Sequence, residues 1–249
     1  MSPLMMKCAM PVSPTQTLPR VAGEGSNESL REFHIKAVLF DLDGTFADTA
    51  PDLAAALNHV RGQCGLPPLP LETVRPQASH GARGLLKLGF NIEPEAPYFT
   101  ALRESFLDYY GTHICIHTTL FQGMAQLVEA LEQRSLQWGI VTNKPHRFTL
   151  PLMQALGYAQ RAACLVSGDT CMHAKPHPEP LFKASELLGV EPQRCLYLGD
   201  DRRDMEAAQA AGMRGIIACY GYIGPAEEVS GWLAQGSIDS PPQLLRYLK

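Results

Sequence analysis

The sequence predicts an α/β fold: a doubly wound parallel sheet with a Rossmann-like core and a helical cap domain inserted after the first strand. Three observations carry this prediction. Short apolar runs recur from residue 35 onward, separated by helical patterns, the alternation expected when parallel strands are covered by helices. The stretch from about Pro51 to Leu120 breaks that rhythm, with helical periodicity, turn signals and little strand character. Several of the apolar runs also lead directly into Asp, Thr, Asn or Lys, and in open α/β sheets the strand ends border the ligand crevice.

Taken in order, residues 1–33 are rich in Pro, Ser, Thr and Gly without sustained periodicity and are expected to form a disordered tail. The α/β core is expected to comprise residues 34–50 and 121–249, and the cap residues 51–120. Strands are expected at 36–40, 138–141, 164–167, 195–198 and 215–219, where the apolar runs fall. Met124, Leu127, Val128 and Leu131 recur at i, i+3, i+4 and i+7, one face of a helix. Ala207, Ala208 and Ala211 recur similarly after Asp204, and Gly212 is the expected stop.

Composition narrows the function. Of 249 residues, 45% are hydrophobic and 18% charged, with 21 Lys and Arg against 25 Asp and Glu. A formal charge of −4 argues against a nucleic-acid binder working through a broad basic surface. No apolar run approaches the roughly 18 residues needed to cross a bilayer. The seven cysteines are scattered, odd in number and without a CxxC pair, so neither a disulfide framework nor a structural zinc site is expected, and the compartment is expected to be a reducing cytoplasm.

The chemistry gathers at the strand ends. The first run, 37–40, leads into Asp41-Leu42-Asp43-Gly44-Thr45. Two carboxylates at i and i+2 leaving a buried strand repel each other unless a cation or proton intervenes, which points to a magnesium site. Thr142-Asn143-Lys144-Pro145 follows the second main run, Lys175 lies in a loop after the third, and Gly199-Asp200-Asp201-Arg202-Arg203-Asp204 follows the fourth. Within the cap, the Gly-bounded segment 79–84 carries His80 and Arg83, and Arg83 is a candidate to hold a substrate anion. Asp201, Arg202 and Arg203 read as a solvated helix start. His113, His117, His146, His173 and His177 lack metal-ligand spacing and read as incidental.

In this order, Asp41 to Thr45, Thr142, Lys175 and Gly199-Asp200 with Asp204 resemble the four signatures of the haloacid dehalogenase superfamily, spread over residues 36 to about 222. The helical insert resembles the type 1 cap of its phosphoglycolate phosphatase branch. Phe46 stands where that branch usually has Leu, a departure that bears on local packing. The resemblance implies a magnesium-dependent phosphomonoesterase working through an aspartyl phosphate, with Asp41 as nucleophile and Asp43 as general acid and base. Thr142 and Lys175 would complete the catalytic set. It implies magnesium held by the Asp41 carboxylate, the Asp43 backbone carbonyl and Asp200, with Asp204 orienting Lys175 or metal-bound water. Thr45, Asn143 and Arg83 are expected at the substrate, a small phosphate monoester. N-acetylmuramic acid 6-phosphate, from cell-wall recycling, and 2-phosphoglycolate both suit an anion-binding cap. A sugar phosphomutase is the alternative on the same fold, separable by its product.

Overall fold

The computed structural model describes residues 34–224 and 228–248; the tail expected at 1–33 lies outside the described residues. The chain begins with β1 (Ala37–Phe40) and a two-residue β2 (Ala47–Asp48), then enters four helices, α1 (Ala50–Gln63), α2 (Leu71–Val74), α3 (Gly81–Phe90) and α4 (Phe99–Thr112). It returns through β3 (Thr119–Leu120) to α5 (Met124–Gln133), β4 (Gln137–Val141), α6 (His146–Ala155), β5 (Cys164–Val166) and α7 (Glu179–Leu188). The remainder is β6 (Cys195–Gly199), α8 (Arg202–Ala210), β7 (Arg214–Ala218) and β8 (Gly236–Ile238).

Six strands form one sheet in the order β5-β4-β1-β6-β7-β8, and every pairing within it is parallel. All four residues of β1 are fully buried, as both-face coverage requires. Their period-two alternation divides the core. Val38 and Phe40 join Trp138, Ile140, Leu196 and Leu198 in a cluster completed by α5 and α6. Ala37 and Leu39 turn the other way, with Val141 and Tyr197, against α7 and α8. The four α5 residues at helical spacing are all buried. Phe46 stacks on Trp138 at 5.5 Å and meets Phe40 and Tyr158 edge-on at 5.7 and 5.5 Å, so its ring fills an aromatic cluster. Such pairs contribute about 0.5–1.5 kcal/mol beyond their area.

The sequence reading missed β8, the sixth strand of the sheet, and the two-stranded ribbon of β2 and β3 through which the chain leaves and rejoins the core. The four helices between them bury their own apolar cluster, built on Leu53, Leu57, Val60, Leu85, Leu86 and Phe106. Asp52, buried near the start of α1, ties the insert's exit to its beginning: its carboxylate accepts the backbone N–H groups of Ile116, His117 and Thr118 at 2.9–3.1 Å and the Thr118 hydroxyl at 2.7 Å. A single acidic side chain thereby gathers the donors of a short connection in which Thr118 is buried and Ile116 and His117 are exposed.

Candidate active site

The strand order reverses between β1 and β6, the switch point at which open α/β sheets bind ligands. Asp41 and Asp200 follow these two strands directly. The Asp41 N–H extends the ladder to Leu198 at 2.9 Å, which fixes the backbone from which its carboxylate departs. The chain then turns sharply: Gly44 has φ +89°, and its N–H reaches the Ala47 carbonyl at 3.1 Å. A Cβ at Gly44 would overlap an Asp200 carboxylate oxygen, and one at Gly221 would overlap Asp200 and the Gly44 carbonyl.

Lys175 is the hub of the buried charges. Its ammonium lies 2.7 Å from Asp41 Oδ1, 2.7 Å from Asp204 Oδ1, 2.6 Å from the Tyr197 hydroxyl and 3.0 Å from the Val141 carbonyl. Burial alone would lower its proton affinity, but Asp204 and Asp41 outweigh that and raise it. Asn143 positions the lysine, since its amide donates to the Lys175 carbonyl and accepts the Lys175 N–H, both at 2.9 Å.

Asp41, Asp200 and Asp204 are all buried, with carboxylate oxygens within 4.8 Å of one another. Burial pushes Asp41 up to about 7 against the pull of Lys175, and Asp204 and Asp43 push it further. Asp200 is raised well above the carboxylate range by burial and by the neighbouring Asp41 and Asp204 charges. Concentrated acidity of this kind fits a divalent cation with oxygen ligands, which would relieve the repulsion. Asp200 is nevertheless oriented in advance: Thr45 Oγ1 donates to Oδ1 at 2.9 Å, and the Tyr222 N–H and Ser79 hydroxyl donate to Oδ2 at 2.9 and 3.2 Å.

Asp43 sits in different company. Lys144 approaches both its oxygens, at 2.9 and 3.2 Å, and the Thr49 hydroxyl donates to Oδ1 at 2.6 Å. Burial works against the Lys144 charge, but the Asp43 carboxylate beside it more than restores it, and its proton affinity is raised. Thr142, buried, accepts the Lys144 N–H at 3.1 Å, which leaves its hydroxyl hydrogen to donate. Asp41, Asp43, Thr142, Lys144 and Lys175 line one cavity of ≈ 280 Å³ between the sheet and the insert, and Arg83 lines its opposite side.

Two residues expected at the substrate have their hydrogen bonds committed to the protein. Thr45 orients Asp200, and Asn143, which also lines the cavity, clasps the Lys175 backbone. Arg203 departs from the solvated helix start expected of it: it chelates Asp201 and donates to the Ser79 carbonyl at 2.9 Å, joining α8 to the insert. Asp201 caps α8 in a reciprocal box with Asp204. His173 and His177, read as incidental, stack at 4.4 Å beside Glu179 on the exposed surface. Lys144, Ser79 and Tyr222 were missed as site residues, although each lies in or beside a segment that the sequence had marked.

Known proteins share the sequence and the fold of this chain. The family model of haloacid dehalogenase-like hydrolases matches residues 38–218. The N-acetylmuramic acid 6-phosphate phosphatase of Pseudomonas aeruginosa is 42% identical over 219 residues, 88% of this chain and 97% of its own. A phosphoglycolate phosphatase of Xanthomonas campestris is 41% identical, over 84% of this chain and 94% of its own. A crystal structure from Haemophilus somnus, described as a predicted phosphoglycolate phosphatase, superposes with a TM-score of 0.77 at 26% identity, covering 86% of this chain and 98% of that one. Shared along nearly the full length of these relatives, the sequence and the fold establish that the chain belongs to the haloacid dehalogenase-like hydrolases.

Proposed function

We propose that the protein is a magnesium-dependent phosphomonoesterase acting on a small phosphorylated metabolite that carries a carboxylate, with N-acetylmuramic acid 6-phosphate and 2-phosphoglycolate as the candidate substrates. The observation that carries this reading is the distinct setting of two carboxylates facing one cavity: Asp41 against Lys175, and Asp43 against Lys144 and Thr49. Asp41 is the nucleophile. Its free carboxylate oxygen attacks phosphorus, the bond to the ester oxygen breaks, and the departing alkoxide takes a proton from Asp43. Asp43 then removes a proton from water as the water oxygen attacks the aspartyl phosphate, which releases inorganic phosphate and restores the Asp41 carboxylate.

Lys175 neutralises charge at the nucleophile and the phosphoryl oxygens, and Thr142 donates its hydroxyl hydrogen to one of them. Asp204 and Tyr197 hold the Lys175 ammonium in place. The carboxylates of Asp41 and Asp200 and the backbone carbonyl of Asp43 would hold magnesium, which when bound offsets the negative charge that otherwise repels an anionic nucleophile from a phosphate dianion. Asp204 supports that site from behind. The four-helix insert serves as the cap, and residues 34–50 with 121–249 as the catalytic core. No described helix is long and apolar enough to cross a membrane.

Purified protein should release phosphate from a carboxylate-bearing monoester only when magnesium is present. Asp41→Asn should abolish turnover because the amide cannot form the acyl phosphate. Asp43→Asn should slow turnover by about 10²–10⁴. Sustained turnover by the Asp41→Asn variant, or recovery of an isomerised sugar phosphate in place of free phosphate, would overturn the assignment.

A further inference from the structure

The insert side of the cavity carries features that phosphoryl transfer leaves unused. Arg83 on α3 and Arg103 on α4 both line it and are exposed. Neither donates a hydrogen bond or forms an ion pair among the described residues, although the Arg83 charge reaches Glu93. Other arginines of the protein are engaged: Arg75 with Asp48, Arg161 with Glu132 and Arg203 with Asp201. Two free guanidiniums from neighbouring helices, facing one cavity, suit a second anion.

Deeper in, Phe106 and Phe148 are buried and flank Tyr110, at ring separations of 6.4 and 5.6 Å. The Tyr110 ring lies 4.6 Å from the Lys144 ammonium, beside the catalytic carboxylates. Among the described residues, the Tyr110 hydroxyl is the one buried side-chain polar atom without a hydrogen-bond partner. Burial, only partly offset by Lys144, pushes its proton affinity up to about 12, so it remains a donor. Buried donors are seldom left unpaired in native structures, and a catalytic or binding role is one reason for an exception.

We propose that these residues form a specificity site for a sugar-sized acid: Arg83 and Arg103 hold the carboxylate, the Phe106 and Phe148 rings take an apolar face, and the Tyr110 hydroxyl donates to an oxygen of the leaving group. This rests on the phosphatase reading and decides between its two candidate substrates. A two-carbon acid places its carboxylate one carbon from the ester oxygen and has no apolar face for the rings. It would leave much of a cavity of ≈ 280 Å³ empty, a volume close to the lower bound of about 300 Å³ for drug-sized ligand pockets. N-acetylmuramic acid 6-phosphate combines a ring, methyl groups, carbonyl and hydroxyl oxygens, and a carboxylate.

The test is steady-state kinetics on four esters: N-acetylmuramic acid 6-phosphate, N-acetylglucosamine 6-phosphate, which has its bulk without the carboxylate, 2-phosphoglycolate, which has a carboxylate without the bulk, and an aryl phosphate. The wild type should show its highest kcat/KM on the first. Arg103→Ala and Arg83→Ala should each lower kcat/KM for N-acetylmuramic acid 6-phosphate about 10-fold more than for N-acetylglucosamine 6-phosphate, the loss expected of a charged hydrogen bond. Tyr110→Phe should raise KM several-fold for both sugar phosphates more than for 2-phosphoglycolate, with an unchanged or higher Tm, since the free protein loses no hydrogen bond. Equal or better turnover of 2-phosphoglycolate, uniform effects of the arginine variants on all four esters, or a Tyr110→Phe effect traced to lost stability would overturn the site. Absence of phosphate release from every ester, the aryl phosphate included, would instead overturn the phosphatase reading beneath it.

Discussion

Lys144 holds both oxygens of Asp43, so it governs where the proposed proton carrier points. Lys144→Met keeps most of the side-chain volume and removes the charge. It should reduce kcat for an alkyl phosphate by about 10–100-fold, less than the roughly 10²–10⁴ that losing the general acid itself costs, and reduce it less for an aryl phosphate whose leaving group departs without a proton. Comparison of kcat on the two esters checks this; equal losses would make Lys144 a general electrostatic support. The residue stands in plain view in Thr142-Asn143-Lys144-Pro145, yet sequence alone did not single it out. Its partner, Asp43, is 101 positions away, and only the folded sheet brings the two loops together. Asp41, Asp43 and Asp200 were legible at the ends of apolar runs, and Lys175, in a loop beyond one, by its place in the ordered set. Asn143 and Thr45 were legible as site residues but not in their supporting parts, because the direction of a side-chain hydrogen bond leaves no mark on spacing.

At the scale of elements, β1 and β4 to β7 could be read because each is a run of residues buried on both faces. β8 could not: Gly236-Ser237-Ile238 is three residues long and only Ile238 is buried. The ribbon of β2 and β3 has two residues per strand, too few for any periodicity. That ribbon and the Asp52 carboxylate secure the two ends of the insert where it leaves and rejoins the core. Asp52→Ala would leave the amides of Ile116, His117 and Thr118 without their acceptor, at about 1–3 kcal/mol for each donor that stays buried. Since Thr118 alone of the three is buried, a loss of about 1–3 kcal/mol in chemical denaturation is expected, together with a raised KM as the insert loses its fixed position. A change within about 0.5 kcal/mol would show that water replaces the carboxylate at no cost.

For the molecule as a whole, the buried acids make stability depend on pH and on magnesium together. The Asp41 carboxyl titrates at about 7 in the fold, against an ordinary 3.8. Between those values the folded chain retains a proton that the unfolded chain has lost, so stability falls as pH rises through the window. Asp200, raised by the same burial and repulsion, acts in the same direction. A cation that takes the place of these protons stabilises most where they are absent. The gain in Tm on adding magnesium in place of a chelator should therefore be larger at about pH 8 than at about pH 5. Calorimetry across that range tests it, and a gain that is flat or larger at low pH would contradict a magnesium site built on these carboxylates.

The crowding around Asp200 bears on how this pocket can be redesigned. Gly44 and Gly221 contribute no reactive atom, and a library that varied only acids, bases and hydroxyls would treat them as blank positions. Yet the space a methyl group would need at either one is already taken by Asp200. The pocket's specification thus includes excluded volume as well as functional groups. Two positions are defined by what they omit, and changes of substrate preference are better sought on the cap side, where the side chains around the cavity have room to change.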